Sequence, residues 1–345
     1  MSMKVLIISD AWHPQVNGVV RTYEYLSKEL EKNGHKVEVI GPANFAVSIP
    51  MPFYPEIKLV IRPYKRLIRI INDFRPDRIH IATEGPLGWA ARKYCIKHNI
   101  SYTSCYHTQF PDYVAKRFAW LIPPLYNHVH HIAVRIVRKF HSTSKAVMVA
   151  TKSLEEQLQD WEFTTPLKHL SRGVEETIFN TTPQNTIPED IKSPIALYVG
   201  RIAIEKNLEA FLDMKWNGSK IIVGDGPIRT ELEKKYPDAY FVGKKIKHEL
   251  ADYYRSSDVF VFPSKTDTFG IVLIEALACG LPIAAYNVMG PKDIITNNQL
   301  GILTEDNLSK AAQDALTHGN KDICAAYVEE NYSWDKAGKE FIDAL

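Results

Sequence analysis

Residues Ile195–Asn207 read I-A-L-Y-V-G-R-I-A-I-E-K-N. A five-residue apolar run of strand length ends in a glycine. An arginine follows at once, a lysine stands five positions further on, and a segment with helical spacing comes next. This is a strand, a tight turn and a helix. It stands after a Pro-, Thr-, Asn- and Gln-rich stretch, Asn180–Pro194, that lacks periodicity. A strand-and-helix pattern therefore begins afresh here.

Downstream, Lys220–Val223, Tyr240–Val242, Val259–Phe262, Ile283–Ala285 and Gly301–Leu303 read as further strands with helical segments between them. Upstream, Val5–Ile8, Val37–Ile40, Leu59–Ile61, Ile79–Ile81 and Tyr102–Cys105 form an earlier set, separated by segments such as Val19–Glu31 and Leu87–His98. Strands alternating with helices imply βαβ units and mainly parallel sheets. The spacing predicts an α/β protein of two doubly wound domains: 1–175, a linker region 176–194, 195–331, and a last helix 332–345. Ligands in such folds gather at the carboxyl ends of the strands, so two domains would place two sets of strand ends across one cleft.

The length of 345 residues suits two domains. With 24% charged and 45% apolar residues the chain is neither disordered, collagenous, coiled-coil nor a small disulfide scaffold. Cys95, Cys105, Cys279 and Cys324 contain no close pair, so they are expected to be buried, reduced thiols of a cytosolic protein. The start M-S-M-K-V-L-I-I-S-D is too short an apolar run for a signal peptide and reads as a buried strand and loop. No run of about 18 apolar residues suggests a membrane-spanning helix.

The net charge of +2 hides an asymmetry. Residues 1–170 carry 23 Lys and Arg against 14 Asp and Glu; the remainder carries 19 against 26. The first half is therefore expected to meet something anionic: a membrane surface, a nucleic acid or an anionic substrate.

No G-x-G-x-x-G follows a strand, and no Walker lysine loop is present, which disfavours a dehydrogenase or a P-loop enzyme. Three loops of the second half look suited to a diphosphate instead. Gly200-Arg201 through Lys206 offers a bidentate guanidinium and a point charge on one turn. Gly224-Asp225-Gly226-Pro227 has glycines that would let backbone approach a ligand. Phe269-Gly270-Ile271 opens a helix whose first amides form an anion site. Each alone is better read as a tight turn or surface ion pair; together at strand ends they favour a site.

The most specific segment is Ser264–Ala285, S-K-T-D-T-F-G-I-V-L-I-E-A-L-A-C-G-L-P-I-A-A. Asp267 and Glu275 are separated by seven residues. A carboxylate can accept two hydrogen bonds from vicinal sugar hydroxyls. Glu275 stands among Ile271, Val272, Leu273, Ile274, Ala276 and Leu277, and a carboxylate in that setting needs a partner.

The string resembles the Glu/Asp–seven–Glu signature of the retaining GT-B glycosyltransferases of family 4, a group that includes bacterial lipid mannosyltransferases and sulfoquinovosyl transferases. Asp10–Thr22, D-A-W-H-P-Q-V-N-G-V-V-R-T, is similar to that family's first glycine loop, and Tyr106-His107-Thr108-Gln109-Phe110-Pro111 to its histidine motif. Arg172-Gly173-Val174, Gly200 through Lys206, Gly224 through Pro227 and Tyr332-Ser333-Trp334 also match, so the resemblance spans nearly the whole chain. Asp267 departs from it, standing where many members carry Glu.

The resemblance implies a GT-B fold whose C-terminal helix returns to the first domain, and roles for individual residues. Glu275 would bind ribose hydroxyls; Arg201 and Lys206 would neutralise the diphosphate. Gly18 would let the first loop approach the phosphates, with Gly224 and Gly226 near the nucleotide. His107 would touch the transferred sugar or its phosphate. Asp267 and the amides of Phe269, Gly270 and Ile271 would hold sugar hydroxyls. Fixed cations and helix-end amides stabilise the charge left on the diphosphate, so no metal or other cofactor is expected. The base would lie near Gly243–Ile246, where UDP and GDP sugars are equally compatible.

Two basic segments remain. In Arg62–Arg78, Arg62, Lys65, Arg66 and Arg69 fall on one helical face and Leu67, Ile70, Ile71 and Phe74 on another. In Lys116–Lys139, Leu121, Leu125, Ile132 and Ile136 recur at near-helical spacing, flanked by Lys116, Arg117, Arg135, Arg138 and Lys139, with Pro123 and Pro124 splitting the segment. These are read either as a surface resting on anionic lipid or as ordinary helices packed on a sheet. The leading expectation is transfer of a hexose-type sugar to a membrane lipid such as diacylglycerol or a glycolipid, by an enzyme peripheral on the inner face of the cell membrane. The alternatives are a soluble or polysaccharide acceptor, and a non-catalytic nucleotide-sugar binder. Nucleic acid is not expected, because no exposed stacking aromatics accompany the basic residues.

Overall fold

The computed structural model describes residues 2–15, 17–51, 54–107, 111–112, 115, 125–182 and 191–345, with the side chains of 51 and 54–57 set aside. The chain divides into two compact units, Met1–Ser171 with Trp334–Leu345, and Arg172–Ser333.

In the first unit β1 (Lys4–Ile8) and β2 (Lys36–Ile40) are followed by an antiparallel hairpin, β3 (Ser48–Met51) and β4 (Tyr54–Val60). Then come β5 (Arg78–Ile81), β6 (Tyr102–Cys105), β7 (Val147–Val149) and β8 (Leu167–His169). Among the described residues the parallel sheet runs β2-β1-β5-β6-β7-β8. The expected strand Leu59–Ile61 is thus not a member of the six-stranded sheet; Leu59 and Val60 end one arm of the two-stranded hairpin. β7 and β8, three residues each, are too short for a periodic signal.

In the second unit β9 (Ile195–Val199), β10 (Ser219–Val223), β11 (Tyr240–Gly243), β12 (Val259–Phe262), β13 (Ile283–Tyr286) and β14 (Gly301–Thr304) run in the order β11-β10-β9-β12-β13-β14. All observed pairs in both six-stranded sheets are parallel. Central strands with every residue buried, as in Ile195–Val199, are what helices on both faces of a sheet require.

The Trp334–Ala344 helix buries Ala337, Phe341 and Ala344 against Val5, Ile7, Tyr23 and Leu26, so the C-terminus completes the first unit's core. Residues 172–182, expected to lie in the first domain or the linker, belong to the second unit. Arg255 fixes part of this stretch by donating from Nη1 to the Ile178 carbonyl at 2.9 Å and the Asn180 carbonyl at 3.4 Å.

Candidate active site in the second unit and the histidine chain in the first

The strand order of the second unit reverses at β9, whose neighbours β10 and β12 lie on opposite sides. Such a reversal leaves a crevice at the carboxyl ends of the strands. β9 and β12 pair only through Ala196↔Val259 and Leu197↔Phe260, two residues short of either strand's end.

The loops leaving those two strands are stitched together. Asn207, in the left-handed region at φ 55, donates from Nδ2 to the Pro263 carbonyl at 3.0 Å, and Thr266 Oγ1 donates to the Glu205 carbonyl at 3.4 Å. Between these anchors Lys206 Nζ meets Asp267 Oδ1 at 2.6 Å, with both side chains about one-fifth exposed. The residues expected to serve the diphosphate and the sugar separately are ion-paired with each other. Asp267 Oδ2 is buried with no hydrogen-bond partner, an acceptor that the protein leaves unsatisfied. Arg201 is exposed, and its carbonyl accepts from the buried Tyr198 hydroxyl at 2.9 Å.

Packing within the protein already requires Gly224 and Gly226. A Cβ on Gly224 would lie 1.8 Å from the Gly200 carbonyl oxygen, and one on Gly226 2.1 Å from that of Ile202. These glycines let two loops of the protein pack on each other; Ile202 N donates to the Asp225 carbonyl at 2.9 Å in the same contact. The position a side chain would take at either glycine is filled by protein backbone.

Beyond Asp267, Phe269 is buried and Gly270 caps the Ile271–Ala278 helix at φ 86, a conformation that favours glycine. Glu275 is 3% exposed and accepts from the Tyr254 hydroxyl at 3.1 Å. That hydroxyl is the partner that the apolar sequence around Glu275 demanded. Tyr254 itself was not legible, because it comes from another helix, Lys247–Arg255.

In the first unit Gly18 is exposed and begins the Gly18–Lys32 helix, capped by Asn17, whose side chain accepts from Val20 N. His107 is half-buried after β6. Its Nε2 lies 2.8 Å from the Tyr23 hydroxyl, which lies 2.8 Å from His80 Nε2; His80 Nδ1 in turn lies 2.9 Å from Thr103 Oγ1. Burial pushes His80 down to about 3, so this histidine is neutral. Sequence reading missed His80 and Tyr23, although a lone histidine inside the strand R-I-H-I was a usable signal.

Asp10, in the loop after β1, is buried. Its carboxylate accepts from the amides of Leu87 at 2.9 Å and Gly88 at 3.2 Å and from Thr83 Oγ1 at 3.1 Å. It thereby caps the Pro86–Lys97 helix. Burial raises it to about 6 against these hydrogen bonds. A second polar series, Ser104 Oγ to His141 Nδ1 at 2.8 Å and His141 Nε2 to Glu84 Oε1 at 3.2 Å, has the order of a hydrolase triad. Ser104 and His141 are fully buried, so it serves packing.

Of the basic residues, Lys65, Arg66 and Arg69 project from the Tyr64–Phe74 helix while Leu67, Ile71 and Phe74 pack inward. Arg62 is exposed but precedes the helix at φ 50, so it does not continue that face. In the Tyr126–His141 helix Ala133, Val137 and Phe140 form the core side. Leu125, just before it, and Ile132 and Ile136 within it are 40%, 44% and 46% exposed. Lys116, Arg117, Leu121, Pro123, Pro124 and the motif residues Thr108, Gln109 and Phe110 lie outside the described residues.

Among the described residues no helix is long and apolar enough to cross a membrane, and no three His, Cys, Asp or Glu side chains are grouped as metal ligands would be. Cys95, Cys105, Cys279 and Cys324 are all buried.

Two family models tile the chain: Glycosyltransferase Family 4 over residues 16–177 and Glycosyl transferases group 1 over residues 181–340. An alpha-monoglucosyldiacylglycerol synthase of Acholeplasma laidlawii is 30% identical over 322 residues, covering 81% of this chain and 79% of that protein. The chain belongs to the family 4 glycosyltransferases. The sulfoquinovosyl transferase SQD2 of Arabidopsis thaliana is also 30% identical, over 82% of this chain; the chain spans 55% of that protein's length. Sucrose-phosphate synthase from Thermosynechococcus elongatus superposes with a TM-score of 0.75 at 19% identity, covering 99% of this chain and 98% of that one. Two Rossmann-like units with such neighbours make this glycosyltransferase a GT-B protein.

Proposed function

We propose that this glycosyltransferase moves a hexose-type sugar from a UDP or GDP sugar to a membrane lipid, diacylglycerol or a glycolipid, with retention at the anomeric carbon. The observation that carries the reading is the Lys206–Asp267 pair at the strand-order reversal, with Asp267 Oδ2 buried and unpartnered. A sugar hydroxyl donating to Oδ2 satisfies that oxygen, and a diphosphate arriving at the loop offers Lys206 a stronger anion than a single carboxylate. Arg201 and Lys206 then stabilise charge on the leaving diphosphate, the amides of Gly270 and Ile271 contribute the positive end of a helix, and Glu275 takes the ribose hydroxyls. Two fixed cations and a helix end supply the stabilisation that a metal ion gives elsewhere, so transfer proceeds without one. His107 contacts the transferred sugar.

The lipid acceptor is supported by the glycolipid product named for the Acholeplasma laidlawii relative and by exposed Leu125, Ile132 and Ile136. Ile132 lines a shallow surface depression with His128, His131 and Arg135. With Lys65, Arg66 and Arg69, this gives the first unit apolar and basic elements for resting on the anionic inner face of a cell membrane.

The test is nucleotide release from a panel of UDP and GDP sugars, with and without vesicles containing diacylglycerol or glycolipid. Release that requires the lipid, with an α-linked glycolipid product from an α-linked donor, supports the reading. Release that requires only a soluble glycan moves the acceptor to the polysaccharide class, and binding without release makes the protein a nucleotide-sugar binder.

A further inference from the structure

The polar chain behind His107 is buried along its length: Tyr23 and His80 are 0% exposed and Thr103 1%. The Tyr23 ring meets the His107 ring edge to face, with centroids 5.4 Å apart and planes at 87°; Phe341 packs on His80 at 4.8 Å. Apolar packing thus holds the rings while hydrogen bonds link them.

A hydroxyl has one proton to give, so Tyr23 can satisfy only one of the two Nε2 lone pairs that face it. The other Nε2 has to carry a proton. His80 is neutral and so has one N–H and one lone pair. Two orders follow. In one, His107 Nε2–H donates to the Tyr23 oxygen, Tyr23 donates to His80 Nε2, and His80 Nδ1–H donates to Thr103 Oγ1. The other reverses every bond. When His107 is protonated its Nε2 is necessarily a donor, and only the first order survives. The first order therefore serves both charge states of His107, and the second serves one.

We infer that Tyr23 and His80 are positioning residues for His107, holding its ring with Nε2–H directed inward and leaving Nδ1, 3.8 Å from Cys105 Sγ, as the nitrogen that gains and loses the proton. This rests on the reading that His107 contacts the transferred sugar. Thr103, whose hydroxyl can accept as well as donate, closes the chain and in the first order accepts from His80 Nδ1–H.

The test combines long-range 1H–15N correlation spectra of 15N-histidine-labelled protein with steady-state transfer. Wild type should show neutral His107 as the Nε2–H form. Tyr23→Phe keeps the ring packing and removes the acceptor. It should turn His107 into a mixture of tautomers and lower kcat at least tenfold, with KM for the nucleotide sugar within twofold. Thr103→Val should mix the tautomers of His80 with a smaller loss, and Thr103→Ser should restore both readouts; this pair decides the matter if Tyr23→Phe fails to fold. An unchanged His107 tautomer in folded Tyr23→Phe, or a loss of kcat no greater than its loss of folded protein, overturns the inference. If the wild-type protein turns over no sugar nucleotide, the proposed function fails, while the tautomer spectra still decide the positioning role.

Discussion

The two units solve the same architectural problem in opposite ways. Each reverses its strand order beside its first strand, and each has a helix beginning near the reversal. In the first unit β1 and β5 pair up to Ile8↔Ile81, and Ala82 N continues the ladder by donating to the Ile8 carbonyl. The helix start beyond is occupied by the protein's own Asp10. A Cβ on Gly85 would lie 2.3 Å from that carboxyl carbon, so the carboxylate fills the space. In the second unit β9 and β12 part after Leu197↔Phe260, and the Ile271–Ala278 helix begins at Gly270, which has no side chain to cap it. One reversal is plugged by an internal anion. The other holds a cation paired to a half-satisfied carboxylate. A helix start beside a strand-order reversal is an anion site by default; the protein fills one with its own acid, and in the proposed function the other takes the substrate.

The largest expected effect tests the open reversal. Lys206→Ala and Glu275→Ala should each reduce turnover by on the order of a hundredfold or more, the usual cost of a lost preorganised contact to developing charge, with circular dichroism unchanged. Near-normal turnover of Lys206→Ala would remove Lys206 from the diphosphate site and end the contrast with Asp10.

The plugged reversal should show itself in stability. Asp10, raised to about 6 from an unfolded value near 3.8, makes folding favour its protonated form. Its contribution is present at low pH and is lost as pH rises from about 4 to 6, by up to roughly 3 kcal/mol. His80, lowered to about 3, acts in the opposite direction: the unfolded histidine binds a proton below about 6.5 that the folded one refuses, so stability rises with pH through that window. In the wild-type protein the two offset. Asp10→Asn removes one side, so unfolding of the first unit in this variant should become steeply more difficult as pH rises from 4 to 6.5. Five of the six tryptophans belong to that unit, which makes their fluorescence a suitable probe. A difference between variant and wild type that does not change with pH would mean Asp10 ionises freely in the fold.

A smaller effect concerns the surfaces. Reversing Lys65, Arg66 and Arg69 to Glu should lower co-sedimentation with anionic vesicles about tenfold, because salt screening cuts the roughly 1 kcal/mol that each basic residue otherwise adds near the surface, while nucleotide binding persists. Equal sedimentation with neutral and anionic vesicles would return these residues to ordinary solvated helix faces. The smallest expected effect is none: transfer measured in EDTA should match transfer in magnesium. Loss on chelation, with recovery on adding a divalent ion, would show that Arg201 and Lys206 do not suffice for the leaving group.

What the sequence determined by itself was everything carried by local periodicity and short spacing. The restart at Ile195, the apolar parallel strands, and the strand-end positions of Arg201, Lys206 and Asp267 all follow from residues within about a dozen positions of each other. The apolar run around Glu275 even announced that a partner was needed. Tertiary structure alone decided who the partners were. Lys206 finds Asp267 across 61 positions, Tyr254 finds Glu275 across 21, and Tyr23 joins His80 and His107 across 57 and 84. It also decided that Gly224 and Gly226 face backbone, that Leu59–Val60 end a hairpin arm, and that the acid of the first loop caps a helix 77 residues on. The reason is physical. Periodicity records which face of an element is buried, whereas a hydrogen bond between elements depends on crossover paths and strand order, which bring together side chains whose sequence separation carries no signal.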